Sequence, residues 1–323
     1  MAKEGIYDFL IIGAGCTGYA AAMYAGRFNL RTLVVGETGG GTIILTDTVE
    51  NYPGFRKLTG LELAEKLEEH AKDYPSVSFE SDKVVDAREN GSIFEVKTLG
   101  GRIFKSKTIL IATGTEWRKL GVPGENEYSS KGVHYCALCD GALYKDKILG
   151  VVGGSDSAAK EALLLTQWAK KVYIFYRGEK IHPEPVNATR VSQNPKIEVV
   201  NLTNVKEIKG GKFVNRVILD RPYNGSEEFP LDGLFVEIGH NPLSELAVKL
   251  GVKVDERKEI IIDRESRTNV KGVYAAGDVV NTAFKQAITG VAEGVHAAYG
   301  AYQFVTNESA AAAGGEDGGK KGT

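Results

Sequence analysis

Two cysteines three positions apart, followed directly by an aspartate, are the residues of this sequence best suited to redox chemistry. They lie in "HYCALCDG", residues 134–141, as Cys136, Cys139 and Asp140. Such a pair can bind a metal, close a structural disulfide, or form and break a disulfide in catalysis. Zinc needs four ligands, but there is no second C-x-x-C, and His134 and Asp140 lie too close along the chain to complete a tetrahedron easily. A redox-active disulfide is the favoured interpretation, and no metal site is predicted.

The composition is typical of a soluble globular protein with two domains. The chain has 323 residues, 42% of them apolar and 25% charged, with a formal net charge of -2. This balance predicts no nucleic-acid or membrane partner, and the apolar runs are far shorter than the roughly 18 residues of a membrane span. Only three cysteines are present, and Cys16 is expected to be a small packing residue. We therefore expect a cytoplasmic protein rather than a disulfide-stapled secreted one.

The first segment, "YDFLIIGAGCTGYAAAMYAGRFNLRTLVVGE", has the pattern strand, glycine turn, helix, strand. Gly13, Gly15 and Gly18 give G-x-G-x-x-G where the helix should begin, so that backbone N–H groups at the helix end can hold a pyrophosphate. Glu37 follows the second strand, where a carboxylate can bind ribose hydroxyls. The alternative, a tight turn without a ligand, is less typical of this motif in this setting. The segment predicts a dinucleotide site.

A second unit of the same form begins at Ile148, with "ILGVVGGSDSAAKEALLLTQWAKKVYIFYR". Gly153 and Gly154 form the turn, a helix is predicted over residues 157–169, and a strand over residues 172–176. Residues 77–111 and 197–238 contain further strand-like runs, and "GVYAAGDVV" predicts a strand that precedes a long apolar-faced helix. Two such units imply two nucleotide sites.

Seven motifs in order along the chain carry a resemblance to a known family. The sequence from about residue 5 to residue 306 resembles the low-molecular-weight thioredoxin reductases, which are FAD-dependent disulfide reductases. The motifs are "IIGAGCTGYAAAMYAGR", "VENYPGF", "IATGTEWRKLGVPGE", "YCALCDG", "VVGGSDSAAKEA", "VYAAGDV" and "KQAITGVAEG". The resemblance implies an α/β fold with two Rossmann-like dinucleotide-binding domains of the three-layer type, the second inserted in the first.

The same resemblance sets the domain boundaries. Residues 1–116 and 244–306 would form the FAD-binding domain, and residues 117–243 the NAD(P)H-binding domain that carries the C-x-x-C. A hinge is expected near residues 116–122 and 239–244, and a homodimer is implied. Residues 307–323, rich in Gly and Ala, are predicted to form a disordered tail.

The resemblance also assigns residues to two cofactors, FAD and NADPH or NADH. For FAD these residues are Gly13, Gly15, Gly18, Glu37, Asn51, Thr113, Gly114, Asp278, Gln286 and Ala287. For NAD(P)H they are Gly153, Gly154, Ser155, Ser157, Ala158 and Arg177.

The activity implied is thioredoxin-disulfide reduction, in which electrons pass from NAD(P)H through FAD and the disulfide to a thioredoxin or glutaredoxin-like protein. Cys139 would lie nearer the flavin and form its charge-transfer partner, and Cys136 would attack the disulfide of the partner protein. Asp140 is the preferred general acid and base. His134 competes for that role, but could equally be a surface residue.

Two departures from the family pattern concern the electron donor. Ser155 stands where a glycine usually lets the pyrophosphate approach, and Tyr176, Gly178 and His182 replace residues of the H-R-R-x-x-x-R pattern that binds a 2′-phosphate, leaving Arg177 alone. NADH, or a relaxed choice between NADH and NADPH, is therefore an option. A ferredoxin or deazaflavin donor, or a non-catalytic flavin redox sensor, remains an alternative.

Overall fold

The chain folds into two compact units, one interrupting the other along the sequence. The structure, a computed structural model, describes residues 5–316, and the side chains of residues 5–307. The first unit comprises Met1–Thr115 and Pro242–Thr323, and the second Glu116–Asn241.

The helices and strands are numbered in chain order. The helices are α1 (Cys16–Arg27), α2 (Gly60–Lys72), α3 (Ala137–Asp140), α4 (Asp156–Leu165), α5 (Pro185–Gln193), α6 (Glu245–Lys249) and α7 (Ala287–Glu316). The strands are β1 (Ile6–Ile12), β2 (Thr32–Val35), β3 (Val77–Glu80), β4 (Val84–Asn90), β5 (Ile93–Thr98), β6 (Ile103–Ile111), β7 (Thr115–Trp117), β8 (Val133–His134), β9 (Ile148–Val152), β10 (Lys171–Tyr176), β11 (Ile197–Asn201), β12 (Val205–Gly210), β13 (Val214–Tyr223), β14 (Ser226–Pro230), β15 (Gly233–Val236), β16 (His240–Pro242) and β17 (Val273–Ala275).

The first unit is built on a sheet with the order β3-β2-β1-β6, whose strands are all parallel. Beyond β6, the antiparallel pair β5 and β4 extends the sheet along the first part of β6, and β17 lies parallel to its last part. The buried strands are apolar, as parallel strands covered on both faces require. Alanines of α1 and α7 pack on one face of this sheet and allow the two helices to approach it closely; they are Ala21, Ala22, Ala25, Ala297, Ala298 and Ala301.

The second unit has a five-stranded parallel sheet with the order β11-β10-β9-β15-β8 and a separate antiparallel sheet, β12-β13-β14. In both units a glycine turn follows a central parallel strand, β1 or β9, and leads into a helix, α1 or α4. This is the order of a Rossmann-like fold, so the predicted fold class is confirmed. The short strands β7 and β16 pair where the chain passes from one unit to the other.

Some elements differ from the predictions. The strand-like runs predicted over residues 77–111 end in one long strand, β6, because no turn residue interrupts residues 103–111. Helix α4 ends at Leu165 rather than near residue 169. Thr166, the next residue, closes the last turn because its hydroxyl donates to the carbonyl of Leu163. Helix α2 was not predicted, although Thr59 and Glu62 form a capping box at its start.

The tail predicted to be disordered, residues 307–323, lies only partly within the described residues. Helix α7 continues to Glu316, so residues 307–316 are helical, which corrects the prediction for them. The run of four alanines in this segment has a high helix propensity, which explains the difference. Residues 317–323 are outside the described residues. Within the described part of the chain, no helix is long and apolar enough to cross a membrane.

Candidate active site

The C-x-x-C segment forms a tight turn at the edge of the second unit's sheet. Strand β8 ends at His134, and the short helix α3 begins at Ala137. Cys136 and Cys139 form a disulfide with their Cα atoms 5.4 Å apart, as predicted. Cys136 is the extended residue before α3, and its Sγ accepts a hydrogen bond from the backbone N–H of Cys139 at 3.1 Å. The turn thus holds both sulfurs at one helix end.

The two cysteines differ in exposure. Cys136 is 6% exposed, whereas Cys139 is exposed. The resemblance expected Cys136 to attack the partner protein, and an attacking thiol must reach solvent. Exposure and resemblance therefore assign the two roles in opposite order.

Asp140 belongs to a chain of three polar side chains. Its Oδ2 lies 3.0 Å from Nδ1 of His134, and Nε2 of His134 lies 2.7 Å from the hydroxyl of Tyr144. Burial, together with the charge of Asp140, raises the pKa of Tyr144 to about 12, so its hydroxyl keeps its proton at neutral pH. With the tyrosine donating to Nε2, the imidazole carries its proton on Nδ1 and donates it to Asp140.

His134 is not a surface residue, which corrects one of the two interpretations of it. It is 5% exposed, and its ring stacks on Phe235 with the centroids 5.3 Å apart. Tyr144 was not among the predicted site residues. Its only sequence signal is an aromatic residue four positions after Asp140, one helical turn away.

The first glycine turn joins β1 to α1. Gly13 has a φ of +124°, and a Cβ there would collide with the carbonyl oxygen of Ala112 on the neighbouring strand end. Gly15 precedes α1, which has neither a side-chain cap nor an acidic residue in its first turn. A Cβ on Gly15 would meet nothing closer than 3.7 Å. The helix end is therefore free to donate N–H groups to an anion that approaches over Gly15.

Residues from the end of the chain meet this turn. Gly277, next to Asp278, lies against Thr17 in the first turn of α1, where an added Cβ would come within 2.7 Å of Thr17 Oγ1. Asn51 donates from Nδ2 to Oε1 of Gln286 at 2.9 Å, just before α7 begins at Ala287. The structure thus brings the glycine turn and Asp278 together, and joins Asn51 to Gln286.

The remaining residues expected near FAD lie at the carboxyl ends of β2 and β6. Glu37 is exposed, and its carboxylate pairs with Lys83 at 3.4 Å. Thr113 donates from Oγ1 to the carbonyl of Leu243 at 2.7 Å. Gly114 has a φ of +68°, and a Cβ there would meet no atom within 4 Å. In an open parallel sheet this edge is where ligands bind.

The second glycine turn joins β9 to α4 and is more covered than the first. Gly153 has a φ of +152°, and a Cβ there would collide with the carbonyl oxygen of Glu237. A Cβ on Gly154 would collide with the ring of Tyr176, which therefore lies directly on the turn. Ser155 precedes α4 and makes no side-chain cap. The serine can be accommodated because its side chain is not locked in a cap.

The other residues expected at this second site surround the turn. Ser157 and Arg177 are exposed, whereas Ala158 is fully buried beneath Gly153. Asp156 places a negative charge in the first turn of α4, but its carboxylate is bound by Lys160 at 2.8 Å and by the side chain of Asn187 at 2.8 Å. These partners reduce its repulsion of a phosphate at this helix end.

The third cysteine lies in a small apolar cluster. Cys16 is 8% exposed and packs with Val49, Leu58 and Leu63, which confirms it as a packing residue. Burial raises the pKa of its thiol to about 12. Within the described part of the chain, no three His, Cys, Asp or Glu side chains are grouped so that they could hold a metal ion.

The fold and the site define a class of protein. Two Rossmann-like units, one of which carries a disulfide turn with an adjacent acid, are the parts of a flavin-type disulfide oxidoreductase. Residues 7–294 match the family model "pyridine nucleotide-disulphide oxidoreductase". The chain belongs to this family, and the resemblance inferred from its motifs is confirmed.

Two related sequences and one related crystal structure, all of thioredoxin reductases, are similar to this chain over nearly its whole length. The chain is 41% identical to the thioredoxin reductase of Listeria innocua over 309 residues, covering 94% of this chain and 95% of the relative. It is 40% identical to that of Bacillus subtilis over 311 residues, covering 94% and 96%. The crystal structure of Lactococcus lactis thioredoxin reductase superposes with a TM-score of 0.89 at 37% identity, covering 93% of this chain and 99% of the other.

The burial of Cys16 predicts a labelling pattern. After reduction, a maleimide near neutral pH should modify Cys139 fastest and leave Cys16 unmodified, because a buried thiol with a raised pKa forms little thiolate. Mass spectrometry of tryptic peptides measures each site, and labelling in urea serves as the control, in which all three cysteines should react. Modification of Cys16 in the native protein as fast as Cys139 would contradict the assignment.

Proposed function

We propose that this chain is a thioredoxin-disulfide reductase, which passes electrons from NAD(P)H through FAD and the Cys136–Cys139 disulfide to a thioredoxin-like protein. The observation that carries the proposal is the disulfide turn with its Asp140–His134 pair, built into a Rossmann-like unit. The relatives that align over nearly the whole chain are thioredoxin reductases. The ferredoxin, deazaflavin and redox-sensor alternatives are not favoured.

The residues of the first unit fit FAD. The uncapped start of α1 and the absence of any close contact over Gly15 suit a pyrophosphate, and Glu37 would hold ribose hydroxyls. Asp278, beside the same helix end, would contact the ribityl chain or the diphosphate. The Asn51–Gln286 pair, with Ala287, would lie along the isoalloxazine ring. When bound, FAD supplies the two-electron link between dinucleotide and disulfide.

The residues of the second unit fit a nicotinamide dinucleotide with weak selection for its phosphate. Gly153, Gly154 and Ser155 form the turn, and Ser157 and Ala158 lie in the first turn of α4. Arg177 is exposed next to Tyr176 and would meet a 2′-phosphate. A single arginine without a second one gives less of the bidentate pairing on which NADPH selection depends. NADH and NADPH are therefore both donors.

Asp140 handles the protons of thiol–disulfide exchange. One thiolate of the reduced pair attacks the partner's disulfide, the second thiol then loses its proton and closes Cys136–Cys139, and the partner leaves with two thiols. Asp140 is 34% exposed and adjacent to Cys139, so it can exchange a proton with the sulfurs and with water. His134, fixed by Tyr144, orients the carboxylate.

The wider setting follows from the same proposal. The partner is a small protein with a thioredoxin or glutaredoxin-like disulfide, and the active form is a homodimer in the cytoplasm. Neither nucleic acid nor membrane takes part. These statements rest on the family resemblance and the charge balance of the chain.

Anaerobic mixing tests the main proposal. NADH or NADPH should bleach the flavin absorbance of the holoprotein, and an oxidised thioredoxin should restore it. Cys136→Ser should keep the bleaching and lose the recovery, because the disulfide is then absent. If neither dinucleotide bleaches the flavin, the proposal is wrong.

Trapping a mixed disulfide decides which of the two thiols attacks the partner protein. Cys139→Ser, which retains Cys136, should form a mixed disulfide with a thioredoxin that carries one activated cysteine, while Cys136→Ser should not. The reverse pattern would follow the exposure of the sulfurs instead and would exchange the roles of Cys136 and Cys139.

Removing the charge of Asp140 should slow the thiol step selectively. Asp140→Asn is expected to lower the rate of thioredoxin reduction roughly 100-fold, the lower range for loss of a general acid or base, and to leave flavin bleaching by NAD(P)H unchanged. Asp146→Asn makes the same chemical change at an exposed position six residues further on and should have no effect. Equal rates of thioredoxin reduction by the two variants would show that Asp140 does not transfer protons.

Restoring the H-R-R part of the pattern that binds a 2′-phosphate should shift the dinucleotide preference towards NADPH. A Cβ at residue 178 would lie 2.6 Å from the ring of Tyr176, so Gly178→Arg is best combined with Tyr176→His. This double variant should raise kcat/KM for NADPH relative to NADH about tenfold or more, because Arg177 and the new arginine can share the phosphate. Tyr176→His alone is the control. An unchanged ratio would show that the 2′-phosphate does not reach this strand end.

A further inference from the structure

Two carboxylates lie between the second glycine turn and the disulfide turn, and neither has a role in the function proposed above. Glu161, on α4, is half-buried and accepts a hydrogen bond from the backbone N–H of Ala137, the residue after Cys136. Glu237 directly follows β15 and is 6% exposed; its carbonyl oxygen lies against Gly153. The two carboxylates interact electrostatically with each other.

The pair is not neutralised by a cation. Among the residues that the structure describes, the side chain of Glu237 has no hydrogen bond or ion pair, and Glu161 has only the Ala137 amide. Helix α4 packs against α3, α5, β9, β10 and the turn at Tyr144, and β15 packs against β8, β9 and β13. The titratable and charged groups of these elements have other partners: Asp140 and Tyr144 with His134, Asp156 with Lys160, Lys171 with Glu198, Tyr176 with His182, Arg190 with Asn187, Arg216 with Glu228, Asp220 with Asn204 and Arg221, and Tyr223 with Glu198.

Burial without a cation favours the protonated acids. Desolvation raises the pKa of Glu161 to about 7 and, together with the charge of Glu161, raises that of Glu237 to about 9. The charge of an ionised Glu161 disfavours ionisation of Glu237, so the protonation states of the two acids depend on each other. Near neutral pH the pair holds at least one proton and is close to releasing or binding another.

Reduction of the disulfide changes the charge beside this pair. Two electrons break the Cys136–Cys139 bond, and when only one sulfur is protonated the other remains a thiolate. Glu161 is bonded to the amide next to Cys136, so an ionised Glu161 places a second negative charge beside that thiolate. Like charges in a partly buried site disfavour each other, and the repulsion is relieved when the acid binds a proton.

We propose that Glu161 and Glu237 form an electrostatically linked acid pair that takes up one proton when the Cys136–Cys139 disulfide is reduced to its thiolate state. Glu161 acts as a positioning residue through the Ala137 amide, and Glu237 sets how readily Glu161 ionises. The proton comes from solvent, and the electrons come from the reductant of the disulfide. The inference rests on the proposed redox role of this disulfide, but requires neither NAD(P)H nor thioredoxin.

Proton binding by the acid pair and reduction of the disulfide favour each other. The acid pair binds its proton more tightly in the reduced thiolate state than in the oxidised state. At about pH 6 the pair is protonated in both states and does not affect the redox equilibrium. At about pH 9 Glu161 is ionised and opposes the thiolate, so the reduced state is disfavoured.

Equilibration of the holoprotein with dithiothreitol redox buffers measures this effect. The mixture is acid-quenched, free thiols are alkylated and the two redox forms are quantified by mass spectrometry, while the flavin absorbance is recorded in parallel. The equilibrium constant for reduction should be the same in wild type and Glu161→Gln at about pH 6, and about tenfold larger in Glu161→Gln at about pH 9, equivalent to one pKa unit. Glu237→Gln leaves the Ala137 bond intact and should change the constant in the same direction, by less.

Glu198→Gln is the matched control, because Glu198 is also half-buried and lies on the opposite edge strand, β11. It should match wild type at both pH values. A shift in Glu161→Gln that is the same at both pH values, with no effect of Glu237→Gln, would mean a purely structural role and overturn the inference. No shift in either variant would overturn it as well. Failure of NAD(P)H to bleach the flavin would refute the proposed function without altering this result.

Discussion

Both units depend on one close approach, in which the backbone of a glycine turn lies against the end of the neighbouring parallel strand. Gly13 lies on the carbonyl of Ala112 after β6, and Gly153 lies on the carbonyl of Glu237 after β15. Any side chain at either glycine would collide with that oxygen, and the positive φ adds strain. The contact fixes where each helix begins, and therefore where its free N–H groups point. It also fixes which residue after the neighbouring strand, Ala112 or Glu237, lies beside the glycine turn at the carboxyl-terminal edge of the sheet.

The two turns use this geometry in different electrostatic settings. Helix α1 begins without an acidic residue or a side-chain cap, so its end is a simple anion site. Helix α4 begins with Asp156, whose charge is balanced by Lys160 and Asn187, and its turn is covered by Tyr176. In the proposed function, the first turn holds the resident cofactor. The second turn holds a dinucleotide through fewer charges, which suits one that binds and leaves in each catalytic cycle.

The sequence was sufficient for the parts of the site that are local along the chain. Glycine spacing located both turns, and the cysteine spacing located the disulfide, because each is set by neighbours within a few residues. Contacts between residues further apart could not be predicted from the sequence. They are those of Tyr144 with His134, of Glu161 with the Ala137 amide, and of Glu237 with Gly153. The burial of His134 depends on Phe235, a hundred residues away, and could not be read from "HYCALCDG". Helix α2 was predictable, since its capping box is a local signal.

The disulfide turn carries Asp140 and donates from its Ala137 amide to Glu161 of the Glu161–Glu237 pair, and these acids differ in their access to water. Asp140 is 34% exposed and is held by a histidine and a tyrosine that keep their hydrogen-bond directions. Glu237 is nearly enclosed and has no partner to fix a charge among the described residues, so its state depends on the field around it. A group in contact with solvent can deliver protons at each turnover, whereas an enclosed one can only respond to charge that appears nearby. In the proposed function, proton transfer to the sulfurs therefore belongs to Asp140, and in the proposed acid pair the adjustment of thiolate stability belongs to Glu161 and Glu237, because a single carboxylate cannot be optimised for both.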